Sequence, residues 1–386
     1  MRFPTHRGPR LPIRLPRAER DRTFSSNKSS NSFASKALSS THVNVIAAVP
    51  GEPSRSSDVR ACSSRPGRSS GAVAPHAFHR DRRHRHHSGP TGRATLVRVR
   101  PRLPSPLHEL CDPRLTALGL RLALKRDDLI HPEVSGNKWR KLKHNLTAAR
   151  EQGQRTLLTF GGAYSNHLRA TAAAGHALGL ATVGVVRGEE LADRPLNPSL
   201  AFAVEHGMRL VFVDRATYRA KHTPQVLDRL LAAHGPAYVL PEGGSNEAAV
   251  RGCAELPAEL GDDFDAVCVA VGTGGTLAGI AAALPPGRRA IGFAALKGGF
   301  LADEVADLQR RAYGAPTDNW HVEHDFHHGG YARRGPELDT FLADFAARHD
   351  FAPEPIYVGK MLFGLFALAE RGTFAPGTRL VAVVTG

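Results

Sequence analysis

Residues 266–284 read AVCVAVGTGGTLAGIAAAL. Six apolar residues, half of them valine, run without alternation into Gly272-Thr273-Gly274-Gly275-Thr276, and a stretch of helix-forming residues follows. An uninterrupted apolar run of strand length predicts a strand buried on both faces, as in a parallel sheet. The glycines let backbone approach an anion closely, and the helix after them offers free N–H donors and a partial positive charge. The loop therefore has the form of a phosphate cup. It lacks the Gly-Lys-Ser/Thr of a P-loop. A dinucleotide site stays open as an alternative, although the next strand, IGFAAL, ends without a ribose-binding acid.

The same strand-then-helix texture extends outward from about residue 95. Strands are predicted at RLALKRDD (121–128), TLLTF (156–160), ATVGVV (181–186), LVFVD (210–214), AYVLP (237–241), RAIGFAAL (289–296) and RLVAVVT (379–385). Between and after them, helices are predicted at 137–153, 165–179, 197–207, 224–235, 246–260, 276–284, 301–314, 336–350 and 359–372. Glycines at 153, 179, 207, 235 and 372 supply helix stops. Alternation of this kind implies βαβ units and mainly parallel sheets in an α/β architecture. Residues 150–240 read as a smaller inserted domain within a catalytic region spanning 93–386. Ligands in such folds bind at the carboxyl ends of strands, so the loops there hold the candidate chemistry.

The charge is unevenly spread. The chain has 386 residues and a formal charge of +15, with 51 Lys and Arg against 36 Asp and Glu. Residues 1–92 hold 17 of those bases and five of the acids, a net +12, which leaves +3 for the rest. That segment is rich in Ser, Arg, Pro and His and shows no sustained helical or alternating period, so it reads as a disordered basic tail. A transit peptide and a nucleic-acid-binding arm are the other readings of its composition. His84, His86 and His87 stand in the tail as metal-capable residues in a solvated basic tract. The four cysteines, at 62, 111, 253 and 268, lack CxxC or CxxH spacing, so neither a disulfide scaffold nor a zinc site is predicted. No apolar run of membrane-spanning length occurs, and no apolar signal segment opens the chain. A cytoplasmic location follows, with an organelle as the alternative if the tail is a transit peptide.

Three further motifs sit at predicted loop-helix junctions. In Gly136-Asn137-Lys138-Trp139-Arg140-Lys141, the two lysines lie three apart on one face of a helix start. Like charge and the helix N-terminus should lower their pKa values, which lysine carbonyl chemistry requires. Alone, the motif reads equally as a solvated basic turn. In TFGGAYSNHLRA, Ser165-Asn166-His167 opens a helix after Gly161-Gly162. Ser165 or Asn166 could be an N-cap, or the helix start could face a carboxylate with Ser165 available for proton transfer. Tyr357 precedes a helix in PIYVGK, and Thr385 ends the last strand.

Together, GNKWRKL, GGAYSNHLR, PEGGSN, GTGGTLAG and YVGK resemble the pyridoxal-phosphate enzymes of the tryptophan-synthase-β fold, known as fold type II. The nearest group is the one containing 1-aminocyclopropane-1-carboxylate deaminase and D-cysteine desulfhydrase. The resemblance runs from about residue 97 to the end, in the family's order. It implies two mostly parallel sheets flanked by helices and a pyridoxal 5'-phosphate cofactor. Lys138 becomes the Schiff-base lysine, and Lys141 lies beside the cofactor phosphate, which sits in the cup Gly272, Thr273, Gly274, Gly275 and Thr276. Asn166 matches the residue bonding the cofactor's 3' oxygen, and Ser165, with Asn166 and His167, the substrate-carboxylate loop. Tyr357 matches the tyrosine stacked on the cofactor ring. Tyr331, in HHGGYARRGPE, matches a second active-site tyrosine, and Thr385 the partner of the ring nitrogen.

The deaminases of this group resemble each other in carrying Glu directly after the stacking Tyr. This chain has Val358 there. A hydroxyl on the ring nitrogen suits loss of a good leaving group better than opening of a cyclopropane. The resemblance thus implies β-elimination on a small amino acid, D-cysteine desulfhydrase-like, with the deaminase reaction as the alternative, and a homodimer. A nicotinamide-dependent oxidoreductase and a tail-driven nucleic-acid-binding protein are the alternatives from other classes. No nucleic acid, membrane or metal partner is predicted for the folded region.

Overall fold

The computed structural model describes residues 100–134 and 136–386, so the expectations for the tail lie outside the described residues. Ten strands form two sheets. β1 (Leu107–Leu110), α1 (Pro113–Ala117) and β2 (Arg121–Arg126) lead into α2 (Asn137–Glu151). β3 (Thr156–Gly161), α3 (Asn166–Leu178), β4 (Ala181–Arg187), α4 (Pro198–Glu205), β5 (Met208–Val213), α5 (Arg215–Arg219), α6 (Pro224–His234) and β6 (Tyr238–Leu240) follow in repeating strand-helix order. After α7 (Glu247–Cys253) come β7 (Ala266–Val271), α8 (Gly275–Ala283), β8 (Arg289–Ala294), α9 (Leu301–Tyr313), β9 (Trp320–Glu323), α10 (Pro336–His349), α11 (Val358–Glu370) and β10 (Arg379–Val384).

One sheet has the order β5-β4-β3-β6 and is parallel throughout. The other has the order β1-β2-β10-β7-β8-β9, in which only the β1–β2 pair is antiparallel. Its strand residues alternate between two cores. Leu122, Leu124, Cys268, Ile291, Leu380 and Ala382 pack with Phe345, Met361 and Leu365 of α10 and α11. Their neighbours Ala123, Val267, Val269, Val381 and Val383 pack on the opposite face with Leu277, Ile280, Val305 and Leu308 of α8 and α9. This is the period-two signature of strands buried on both faces. The four-stranded sheet is likewise covered twice, by α2 and α3 beside Leu157 and by α5 and α6 beside Leu158, Phe160 and Val183.

All eight predicted strands are present. β1 and β9 were not predicted: each is a four-residue edge strand of mixed polarity with little buried surface. The helix expected over 246–260 is shorter. α7 ends at Cys253 and a separate single turn occupies Pro257–Glu259, because Pro257 has no N–H to extend the ladder.

Candidate active site

Loops at the carboxyl ends of β3, β4, β6, β7 and β10 surround one cavity of about 890 Å³. Lys138, Lys141, Ser165, Asn166, His167, Gly272, Thr273, Gly274, Thr276, Tyr331, Tyr357 and Thr385 all line it. Residues more than 240 apart in sequence are thus brought together. Gly275, the remaining member of the cup, lies just behind the wall. A Cβ there would come within 2.7 Å of Ser245 Oγ and 3.3 Å of Lys141 Cε.

The lysines are delivered by a tight junction. α2 starts after Gly136, whose φ of +57° suits glycine, and a Cβ on it would lie 1.6 Å from the Thr385 carbonyl oxygen. The Asn137 N–H donates to that same oxygen at 3.2 Å, which ties the lysine helix to the end of β10. Lys138 Nζ donates to Asn137 Oδ1 at 2.7 Å, and Asn137 Nδ2 to Thr276 Oγ1 at 2.9 Å. Lys138 is partly buried and faces the cavity. Desolvation first, and the Lys141 charge second, bring its pKa down to about 7. Lys141 is lowered to about 8, again chiefly by burial. The sequence argument named like-charge repulsion and the helix terminus; the loss of water is the larger cause.

The same helix is also anchored by ion pairs at Arg140. Buried Arg140 makes paired hydrogen bonds to Asp127 at 2.7 and 2.8 Å and also reaches Glu259 at 2.7 Å. Lys125 joins Glu259 at 2.7 Å.

Lys141 Nζ donates to Gly243 O (3.0 Å), Ser245 Oγ (2.8 Å) and Thr273 Oγ1 (3.3 Å). Among the described residues it has no carboxylate partner. A buried ammonium beside hydroxyls and the first turn of α8 is a donor set that lacks an anion, and a phosphate fits it. The Gly243–Ser245 segment had been seen in PEGGSN without a role. Its signal was available: Gly-Gly after a strand, followed by Asn246, which caps α7 through a 3.0 Å bond from the Ala249 N–H. Arg187 was also missed. It ends β4 at the cavity, with its Nη2 3.7 Å from the position of a Cβ on Gly162, and no ion pair holds it among the described residues.

On the opposite wall, Tyr357 lies against Gly272, where a Cβ would approach its Cε1 to 3.1 Å. The Tyr331 ring is 6.2 Å from it, tilted by 60°. Burial raises the pKa of both, so both are neutral donors. Ser165 caps α3, accepting the Leu168 N–H at 3.3 Å, and Asn166 Nδ2 reaches Gly386 O at 3.4 Å. His167 is buried, bonds Thr159 Oγ1 at 2.8 Å, and is held well below the usual histidine pKa by burial.

A family model described as pyridoxal-phosphate dependent enzyme matches residues 101–386. The chain belongs to this family. It is 31% identical over 293 residues to the Arabidopsis thaliana bifunctional D-cysteine desulfhydrase/1-aminocyclopropane-1-carboxylate deaminase, mitochondrial, covering 68% of this chain and 71% of the relative. It is 29% identical over 312 residues to the D-cysteine desulfhydrase of Klebsiella pneumoniae, covering 73% and 91%. A solved structure of an ACC deaminase homologue superposes with a TM-score of 0.65 at 26% identity, over 75% of this chain and 91% of the other. The cofactor of this family is pyridoxal phosphate, and the two sheets with their helices are its fold. Among the described residues no helix is long and apolar enough to cross a membrane.

Proposed function

We propose that the chain catalyses β-elimination on a small amino acid, D-cysteine desulfhydrase-like, converting D-cysteine and water to pyruvate, hydrogen sulfide and ammonia. The observation that carries this choice over the deaminase reaction lies at two positions. Val358 is wholly buried among the α10–α11 core residues, whereas Thr385 lines the cavity. The deaminase pattern has a carboxylate at the first of these; here that side chain is apolar and faces away.

When bound, pyridoxal phosphate supplies an electron sink that acidifies the substrate's α-hydrogen. In this reading Lys138 holds the cofactor and then serves as the base. With a pKa near 7 about half of its amine is neutral at pH 7, and that form accepts the proton at Nζ. Lys141, Ser245, Thr273 and the start of α8 hold the phosphate. Asn166 would hydrogen-bond the ring's 3' oxygen and Thr385 its nitrogen, and Tyr357 would pack on the ring. The first turn of α3, with Ser165, Asn166 and His167, receives the substrate carboxylate, and Arg187 adds positive potential at that side. The Tyr331 hydroxyl, beside Tyr357, donates toward the departing thiolate. Residues 150–240 are taken as the smaller domain and the assembly as a homodimer; the contiguous four-stranded sheet supports the former.

The test is 2-oxo acid release from D-cysteine, L-cysteine, β-chloroalanine and 1-aminocyclopropane-1-carboxylate, with sulfide measured in parallel. Pyruvate and sulfide from D-cysteine in equal amounts are expected. Turnover of the cyclopropane alone overturns the choice.

A further inference from the structure

YVGK is one of the motifs that mark the family resemblance, yet its lysine has no part in the cavity. Lys360 is 1% exposed, and no carboxylate pairs with it among the described residues. Its ammonium instead has three backbone carbonyls: Gly330 O at 2.7 Å, His327 O at 2.8 Å and Ala295 O at 3.4 Å. An ammonium has three donors, so its hydrogen-bonding capacity is filled. Ala295 follows β8 directly, at the rigid end of a central strand. His327 and Gly330 belong to the loop that delivers Tyr331.

That loop does not hold itself. His328 and Ala332 have φ of +49° and +56°, and Gly329 and Gly330 have +91° and +115°. Non-glycine residues in this region need surroundings that enforce it. The loop's own bonds are two turns, Gly330 N–H to His327 O at 3.0 Å and Arg333 N–H to Gly330 O at 3.1 Å, and one side-chain bond, Gly329 N–H to His327 Nδ1 at 2.9 Å. Lys360 grips the acceptor carbonyl of each turn. It also lies one helical turn beyond Tyr357 on α11, so a single element carries the grip and the aromatic partner of Tyr331.

We propose that Lys360 is a positioning residue, pinning the 327–331 loop to the end of β8 and so setting Tyr331 against Tyr357 in the cavity. This rests on the reading above in which Tyr331 acts on the substrate. The burden of burying a lone cation is offset by ordering a wall of the site that arrives on a loop rather than at a strand end.

The experiment is a double-mutant cycle in the full-length, cofactor-loaded protein with Lys360→Met and Tyr331→Phe, read as kcat and KM. Amide hydrogen exchange over residues 327–333 is measured on the same samples. Each single change should lower kcat by about 100-fold, the scale of a misplaced catalytic group. The double variant should lose no more than either, while visible cofactor absorbance is kept. Exchange of the loop should rise by at least about 10-fold in Lys360→Met and stay as in wild type in Tyr331→Phe. Gly330→Ala, which disturbs the loop while leaving the buried lysine in place, should reproduce the exchange and the Tyr331-dependent loss. It covers the case in which Lys360→Met does not fold. Losses that multiply, or an unchanged exchange rate, overturn the proposal. So does a Lys360→Met defect beside an inert Tyr331→Phe. Wild-type protein that binds no pyridoxal phosphate refutes the cofactor reading separately, and the exchange comparison still decides the latch.

Discussion

The depressed pKa of Lys138 can be measured without turnover. The perturbation is pH, applied to protein stripped of cofactor, with and without Lys141→Gln. Lowering the pKa from 10.5 to about 7 corresponds to about 5 kcal/mol favouring the neutral amine. At pH 7 about half of Lys138 would be unprotonated, against roughly 0.03% of an ordinary lysine, a ratio of about a thousand. Competitive acetylation with a small anhydride, resolved by peptide mass spectrometry, reads that fraction directly, and exposed Lys297 serves as an internal standard. The labelling rate of Lys138 should inflect near pH 7. Because burial is the larger cause and Lys141 the second, Lys141→Gln should move the inflection upward but leave it below 10.5. An inflection near 10 in the wild type would refute the desolvation argument. One unmoved by Lys141→Gln would remove the charge contribution.

The same shift affects folding. Between pH 7 and 10.5 the unfolded chain keeps the Lys138 proton that the folded chain has lost, so stability rises with pH across that window and the full burden is present below pH 7. Lys138→Met should therefore flatten the pH dependence of urea unfolding of the stripped protein by about 1.4 kcal/mol per pH unit between pH 7.5 and 9.5; an unchanged slope contradicts it. Gly136→Ala would place a Cβ 1.6 Å from Thr385 O, and the retreat this forces on the lysine helix should cost about 100-fold in kcat. Activity within twofold of wild type would show the junction to be slack. Asp127→Ala removes the paired acceptor of buried Arg140 and should destabilise by about 3–5 kcal/mol in denaturant unfolding. A loss below about 1 kcal/mol would mean that Glu259 alone suffices.

Much of this was legible because parallel sheets write themselves plainly. Strands buried on both faces are apolar runs, as in 266–271, and their loops carry glycines that no helix or strand interior would keep. What escaped had weak local signals. β1 and β9 are four-residue edges: LHEL does not alternate, and WHVE does, with Trp320 and Val322 packed on the core, but over only four residues. The Glu242–Asn246 loop and Arg187 were displaced by the more chemical-looking lysines, although both follow strands by the same rule. Lys360 was invisible as a latch, because its partners are backbone carbonyls, and carbonyls have no letter in a sequence. The cause of the lysine shifts was also hidden. Charge can be counted along a chain, but exclusion of water depends on walls assembled from distant segments.

The two sheets differ in how their strands are gathered. β3 to β6 pair within residues 156–240, each with strands made shortly before or after it. β2 instead pairs with β10, and their aligned residues Arg121 and Arg379 lie at opposite ends of the described chain. During synthesis the first sheet can form while the ribosome is still working, whereas in the second the edge of β2 away from β1 must stay open until the closing strand emerges. Because α2 takes its first anchor from Thr385 O, Lys138 is set in place only at that last step. A partly made chain would carry the parts of the active site without the means to use them.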